Sequence, residues 1–276
     1  MVISEELGRA THYHSAGDFR RAEQAYQRIL AVVPDHPIAM HQLGLIAMQT
    51  GDATKALEWF QRAAQTDPLN ADVQTDLGCI LKDAGKITEA IASFERAVSL
   101  DPNSIIALHN LGDILIEQGE YQQAQTFFQR VLKLRPDLAE THCSLGNLWK
   151  KTNKTEAAIT SYRRAIELKP GYVASYNNLG VIMNEKGDQD QAIAYFEKTL
   201  QLAPDHADAC NNLGRIFYDQ EKFLQAEVWC RRAIELKPGL SMAIYNLGRI
   251  LQGQQKFEEA AAVLRTALTI FPTDPD

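Results

Sequence analysis

The chain has 276 residues, with 28 lysines and arginines against 35 aspartates and glutamates, a formal net charge of -7 and four cysteines. The two signs of charge alternate instead of forming blocks, which disfavours nucleic acid as a partner, because a basic stripe would then be expected. No apolar run is long enough to span a bilayer, and the start, MVISEELGRA, has neither a basic n-region nor an apolar core, so a cytoplasmic protein without a membrane partner is expected.

From residue 3 onward the sequence repeats with a period of 34 residues. The predicted elements are eight helix hairpins at 3–36, 37–70, 71–104, 105–138, 139–172, 173–206, 207–240 and 241–274, read as one array. The first hairpin carries Arg9 and Ala10 at its seventh and eighth positions, which suits an outer capping helix. The other seven carry Leu-Gly there, with the glycines at Gly44, Gly78, Gly112, Gly146, Gly180, Gly214 and Gly248. Glycine inside a helix costs about 1 kcal/mol against alanine. Its recurrence predicts a second helix crossing too closely to admit a Cβ, with the invariant alanine of position 20 (Ala22, Ala56 and onward) opposite it.

Further along each hairpin, position 15 is Gly17, Gly51, Gly85, Gly119, Asn153, Gly187, Glu221 or Gln255 and marks the turn between helices. Position 24 is Tyr26, Phe60, Phe94, Phe128, Tyr162 and Phe196, then Cys230 and Leu264, and fills the space between the helices. Position 32 is proline from Pro34 to Pro272, which stops the second helix by lacking a backbone donor. The eighth hairpin ends at FPTDPD with no polar helix over it, so its last helix is expected to bury Ala262, Leu264 and Leu268 against another molecule, through self-association or more chain.

This pattern resembles the tetratricopeptide repeat over essentially the whole chain. The resemblance implies an all-α, right-handed superhelical solenoid of eight hairpins whose first helices line a concave groove. Within each first helix, positions 2, 5, 9, 12 and 13 share one face by their spacing of three and four. Position 6 borders that face and reads Gln42, Asp76, Asn110, Ser144, Asn178, Asn212 and Asn246. Asparagine is worse than alanine in a helix by about 0.5 kcal/mol, so four at one position imply a use that offsets the loss.

A carboxamide carries a donor and an acceptor together and so matches a peptide bond. The series is similar to the asparagine ladder in the superhelical repeat domain of the O-GlcNAc transferase family. The resemblance implies that Asn110, Asn178, Asn212 and Asn246, with Gln42 as a longer amide, hold the backbone of an extended protein segment. Asp76 and Ser144 depart from the ladder. Asn177 and Asn211, at position 5, add amides on the groove side, and Arg215 and Arg249, at position 9, would favour an acidic or phosphorylated segment. The competing reading is that the asparagines tie one first helix to the next. A chaperone clamp of the lysine-asparagine type is not expected, because position 5 carries no lysine and the asparagine at position 9, Asn147, is paired with Cys143 instead.

No Gly-rich phosphate loop, HExxH, GxSxG or zinc spacing occurs, so no cofactor, metal site or catalytic centre is expected. His109 and Cys143 share position 5 of successive hairpins, yet two ligands fall short of a zinc site. Asp72, Glu140 and Asp208 lie on alternate hairpins, too far apart for a catalytic pair. Cys79, Cys143, Cys210 and Cys230 read as reduced, small apolar residues. Two functions remain. One is an interaction scaffold for an extended segment, and the other is the substrate-recruiting part of a larger enzyme such as a glycosyltransferase, methyltransferase or sulfotransferase.

Overall fold

A computed structural model describes the backbone from Val2 to Ile270 and the side chains as far as Arg265. Pro272 and Phe271 lie outside the described residues, and Leu268 outside the described side chains. The described residues form sixteen α-helices in eight antiparallel hairpins and contain no strand.

The chain divides into two compact units, 1–136 and 137–276. The first contains α1 (Ile3–Ser15), α2 (Phe19–Val32), α3 (Pro37–Gln49), α4 (Ala53–Thr66), α5 (Ala71–Asp83), α6 (Ile87–Leu100), α7 (Ile105–Glu117) and α8 (Tyr121–Leu134). The second contains α9 (Ala139–Lys151), α10 (Thr155–Leu168), α11 (Val173–Glu185), α12 (Gln189–Leu202), α13 (Ala207–Asp219), α14 (Phe223–Leu236), α15 (Ser241–Gly253) and α16 (Phe257–Ile270).

Local chemistry sets the helix limits. Asp18, Asp52 and Asp188 cap second helices, their carboxylates each accepting from a backbone N–H at 3.1 Å. The interhelix turn takes a left-handed residue, which glycine supplies at Gly51 (φ 81°), while Asn153, Glu221 and Gln255 accept the same conformation at φ 58°, 58° and 63°. Second helices from α2 to α14 stop two residues before their proline.

The core of each of the first six hairpins is the aromatic at position 24, fully enclosed at Tyr26, Phe60, Phe94, Phe128, Tyr162 and Phe196. From the second hairpin to the sixth these rings, and not the alanines of position 20, are what excludes a Cβ at position 8. A Cβ on Gly44 would lie 2.6 Å from Phe60 Cε1, and one on Gly112 would lie 2.5 Å from Phe128 Cε1. The small residue therefore makes room for a ring within its own hairpin. In the last hairpin Leu264 takes that role against Gly248, so its side chain packs inward and is not the outward contact expected from the sequence.

A second periodic contact joins successive hairpins. Arg62, Arg96, Arg130 and Arg232, all at position 26, donate to the carbonyls of Pro34, Pro68, Pro102 and Pro204 at 3.4, 3.3, 2.8 and 2.9 Å. Each bond clasps the loop that leaves the hairpin before it.

Candidate functional site

The first-helix side chains singled out from the sequence fall into two sets, one per unit. In the first unit the position-6 side chains reach back to the preceding hairpin. Gln42 Oε1 lies 2.9 Å from His14 Nδ1, and Asp76 Oδ2 lies 2.7 Å from His41 Nε2. Asn110 is buried: its Nδ2 donates to its own helix at Ile106 O (2.9 Å), and its Oδ1 accepts from Lys82. The inter-helix role considered for this position is thus present in the first unit.

The second unit is richer in amides. Asn246 is buried and donates to Asn211 Oδ1 at 2.9 Å, one hairpin earlier. Asn178 is half-buried and donates to Asn147 Oδ1 at 3.0 Å. Asn212 is half-buried, and its side chain makes no hydrogen bond among the described residues. Asn177 Oδ1 is enclosed without a partner. A carboxamide has two N–H donors and two acceptor lone pairs, so a single inter-helix bond leaves capacity at Asn178, and all of it at Asn212.

Asn147 is a centre of this network, a role that its repeat position did not announce. Its Oδ1 accepts from the Tyr162 hydroxyl (2.7 Å) as well as from Asn178. Burial pushes the Tyr162 phenol well above the ordinary tyrosine value. A signal existed: both hairpins with tyrosine at position 24 carry a hydrogen-bonding residue at position 9, and Thr11 Oγ1 meets the Tyr26 hydroxyl at 3.4 Å.

The arginines lie on the same face. Arg249 Cζ sits 4.7 Å over the Tyr218 ring and 6.0 Å from that of Tyr245. Arg215 is half-buried with its Nε enclosed and unpartnered. Neither arginine forms an ion pair among the described residues.

Other candidate chemistry is occupied by packing. His41 is held by Asp76, and His109 lies 3.2 Å from Asp113. Among the described residues no three His, Cys, Asp or Glu side chains are grouped to hold a metal ion. Burial raises Cys79 to about 11 and Cys230 to about 12, so both are neutral thiols. No helix among the described residues is long and apolar enough to cross a membrane.

Models described as tetratricopeptide repeat match residues 7–71 and 185–241, 81–144, and 243–274, and one described as TPR repeat matches 149–184. Together these matches span most of the chain. A tetratricopeptide repeat protein from Parabacteroides merdae superposes with a TM-score of 0.72 at 17% identity, covering 90% of this chain and 98% of that one. The APC/C hetero-tetramer Cut9-Hcn1 gives a TM-score of 0.75 at 17% identity, covering 88% of this chain and 48% of that one, so this chain spans about half the length of that relative. MamA is 29% identical with a TM-score of 0.51, covering 60% of this chain and 97% of its own. The two similarities at 17% concern the fold alone. A search of curated proteins returned no significant match.

Proposed function

Because the chain belongs to the tetratricopeptide-repeat family, we propose that it is a protein-interaction scaffold whose first-helix face in the second unit holds an extended polypeptide by its backbone. The observation that carries this reading is the pair Asn178 and Asn212. They stand at the same repeat position on α11 and α13, both half-exposed, with donors and acceptors to spare. Amides spaced along a face match the alternating donors and acceptors of an extended chain whatever its side chains. Asn147 and Asn211 position their neighbours from behind, by accepting from Asn178 and Asn246.

Magnitudes keep the affinity modest. Amide contacts at about 0.5–1.5 kcal/mol each must offset about 2–5 kcal/mol for ordering the partner. A micromolar dissociation constant is the upper end of what such contacts supply.

Selection from a displayed library of random peptides on the full chain tests the reading. The recovered peptides should bind at micromolar concentration, lose affinity when their backbone nitrogens are methylated, and lose it again with the N178A/N212A variant. Failure of the library to enrich, or unchanged affinity in the folded double variant, would refute it.

A further inference from the structure

We propose that Arg215 and Arg249 form an oxyanion pocket on the second unit, so that the segment held there presents a phosphomonoester or a carboxylate to hairpins seven and eight. The inference rests on the scaffold reading for its biological setting and on separate observations for its chemistry.

Asn211, Arg215 and Tyr218 follow one another on α13 at intervals of four and three, which places them on one stripe. On α15, Asn246 and Arg249 are three apart. The two stripes are pinned together at one end by the Asn246 to Asn211 hydrogen bond (2.9 Å) and at the other by Arg249 lying 4.7 Å above the Tyr218 ring. Arg215 stands on α13 between those two pins. Arg249 is therefore placed by a ring contact, and neither cation is neutralised by a carboxylate among the described residues.

Three other arginines of this unit are committed to partners, while Arg163 is exposed without an ion pair among the described residues. Arg164 pairs with Glu167, Arg231 with Glu227, and Arg232 donates to the Pro204 carbonyl. Arg215 and Arg249 make no such bond, in a chain whose net charge is -7. Asp219, one turn beyond Arg215, is exposed and pairs with neither.

The Arg249 guanidinium carbon lies over the ring and its N–H groups make no hydrogen bond among the described residues, which leaves them free to grip an oxyanion through two bonds. Arg215 is desolvated on one side, at its enclosed Nε. Partial removal of water strengthens its attraction for an incoming anion. The pocket thus adds charge selectivity where the amides supply only backbone recognition.

The test uses small probes that need no ladder: N-acetyl-phosphoserine amide, N-acetyl-glutamate amide and N-acetyl-serine amide, titrated into the full chain. The readout is the side-chain Nε–H signals of its arginines by NMR. One or both anionic probes should produce saturable shifts at Arg215 and Arg249, with none from the serine derivative. R249Q, at an exposed position, should weaken the response by about tenfold, the scale of one charge-assisted bond. Stronger binding of the phosphoserine probe assigns a phosphorylated partner, and comparable binding assigns an acidic one. Absence of saturation at these two signals, or an R249Q response equal to that of the wild type, overturns the pocket. Loss of peptide binding with these shifts intact would instead refute the ladder.

Discussion

The hydroxyl of Tyr162 donates to Asn147 Oδ1 at 2.7 Å, tying the second helix of the fifth hairpin to the first. The same oxygen accepts from Asn178, so a core side chain and a surface amide share one acceptor. Y162F keeps the ring and removes the donor. The expected cost is about 1 kcal/mol, a shift of a few degrees in Tm, read by urea and thermal melts.

The position-8 glycines are held to their identity by the facing ring. G112A would place a methyl 2.5 Å from Phe128 Cε1 and should destabilise by about 1–3 kcal/mol. A Cβ added at Gly171 would meet nothing within 4 Å, and the backbone there has no positive φ, so G171A should be neutral or stabilising by about 0.4–1 kcal/mol. Equal losses from the two substitutions in denaturant melts would contradict the role assigned to the ring.

The amides differ in what their removal does. N246A breaks a buried bond to Asn211 and should cost about 1–3 kcal/mol, because the Asn211 acceptor is left unpaired. N212A breaks no bond among the described residues and should leave the melting temperature nearly unchanged. Thermal melts of the two single variants check the contrast.

Glu227 ties stability to acid pH. Burial opposes its charge, but hydrogen bonds from Arg231 and Lys256, with the nearby guanidinium, outweigh that and hold the carboxyl at about 2, against an ordinary 4.5. A lowered folded value means that this contribution is complete above about pH 4.5 and is lost as the pH falls through about 2. E227Q should flatten the slope of unfolding free energy against pH in that window, measured by urea titration at a series of pH values.

Much of the fold is legible because the repeat writes each constraint six to eight times. The proline stops, the left-handed turn residues and the enclosed rings all follow from residue type at a fixed position. The partner of each glycine was harder to read: Ala56 and Phe60 are four residues apart on one face of α4, and spacing alone cannot say which meets Gly44. The candidate site was legible as a set of positions but not as a set of bonds. Asn110, Asn178 and Asn246 share one repeat position, yet they bond to Lys82, Asn147 and Asn211, whose repeat positions are 12, 9 and 5. The direction of each amide depends on what the preceding hairpin offers, a pairwise fact that a column of identical residues hides. Position 26 carried a readable signal as well, since Arg28, Arg62, Arg96, Arg130, Arg164 and Arg232 recur there.

That arginine has a consequence for how such a chain tolerates insertion and loss. Arg96 meets the carbonyl of Pro68, 28 residues before it, and Arg62 meets that of Pro34 at the same separation. The bond is defined by phase within the period and not by the identity of the neighbouring hairpin. Duplicating or excising a whole period inside the first unit, where every hairpin carries the arginine, recreates the clasp at the new junction, whereas one extra residue in a first helix shifts every later partner around the helix by about 100°. Length in this chain is therefore quantised: the architecture admits change in steps of one hairpin and resists change in steps of one residue.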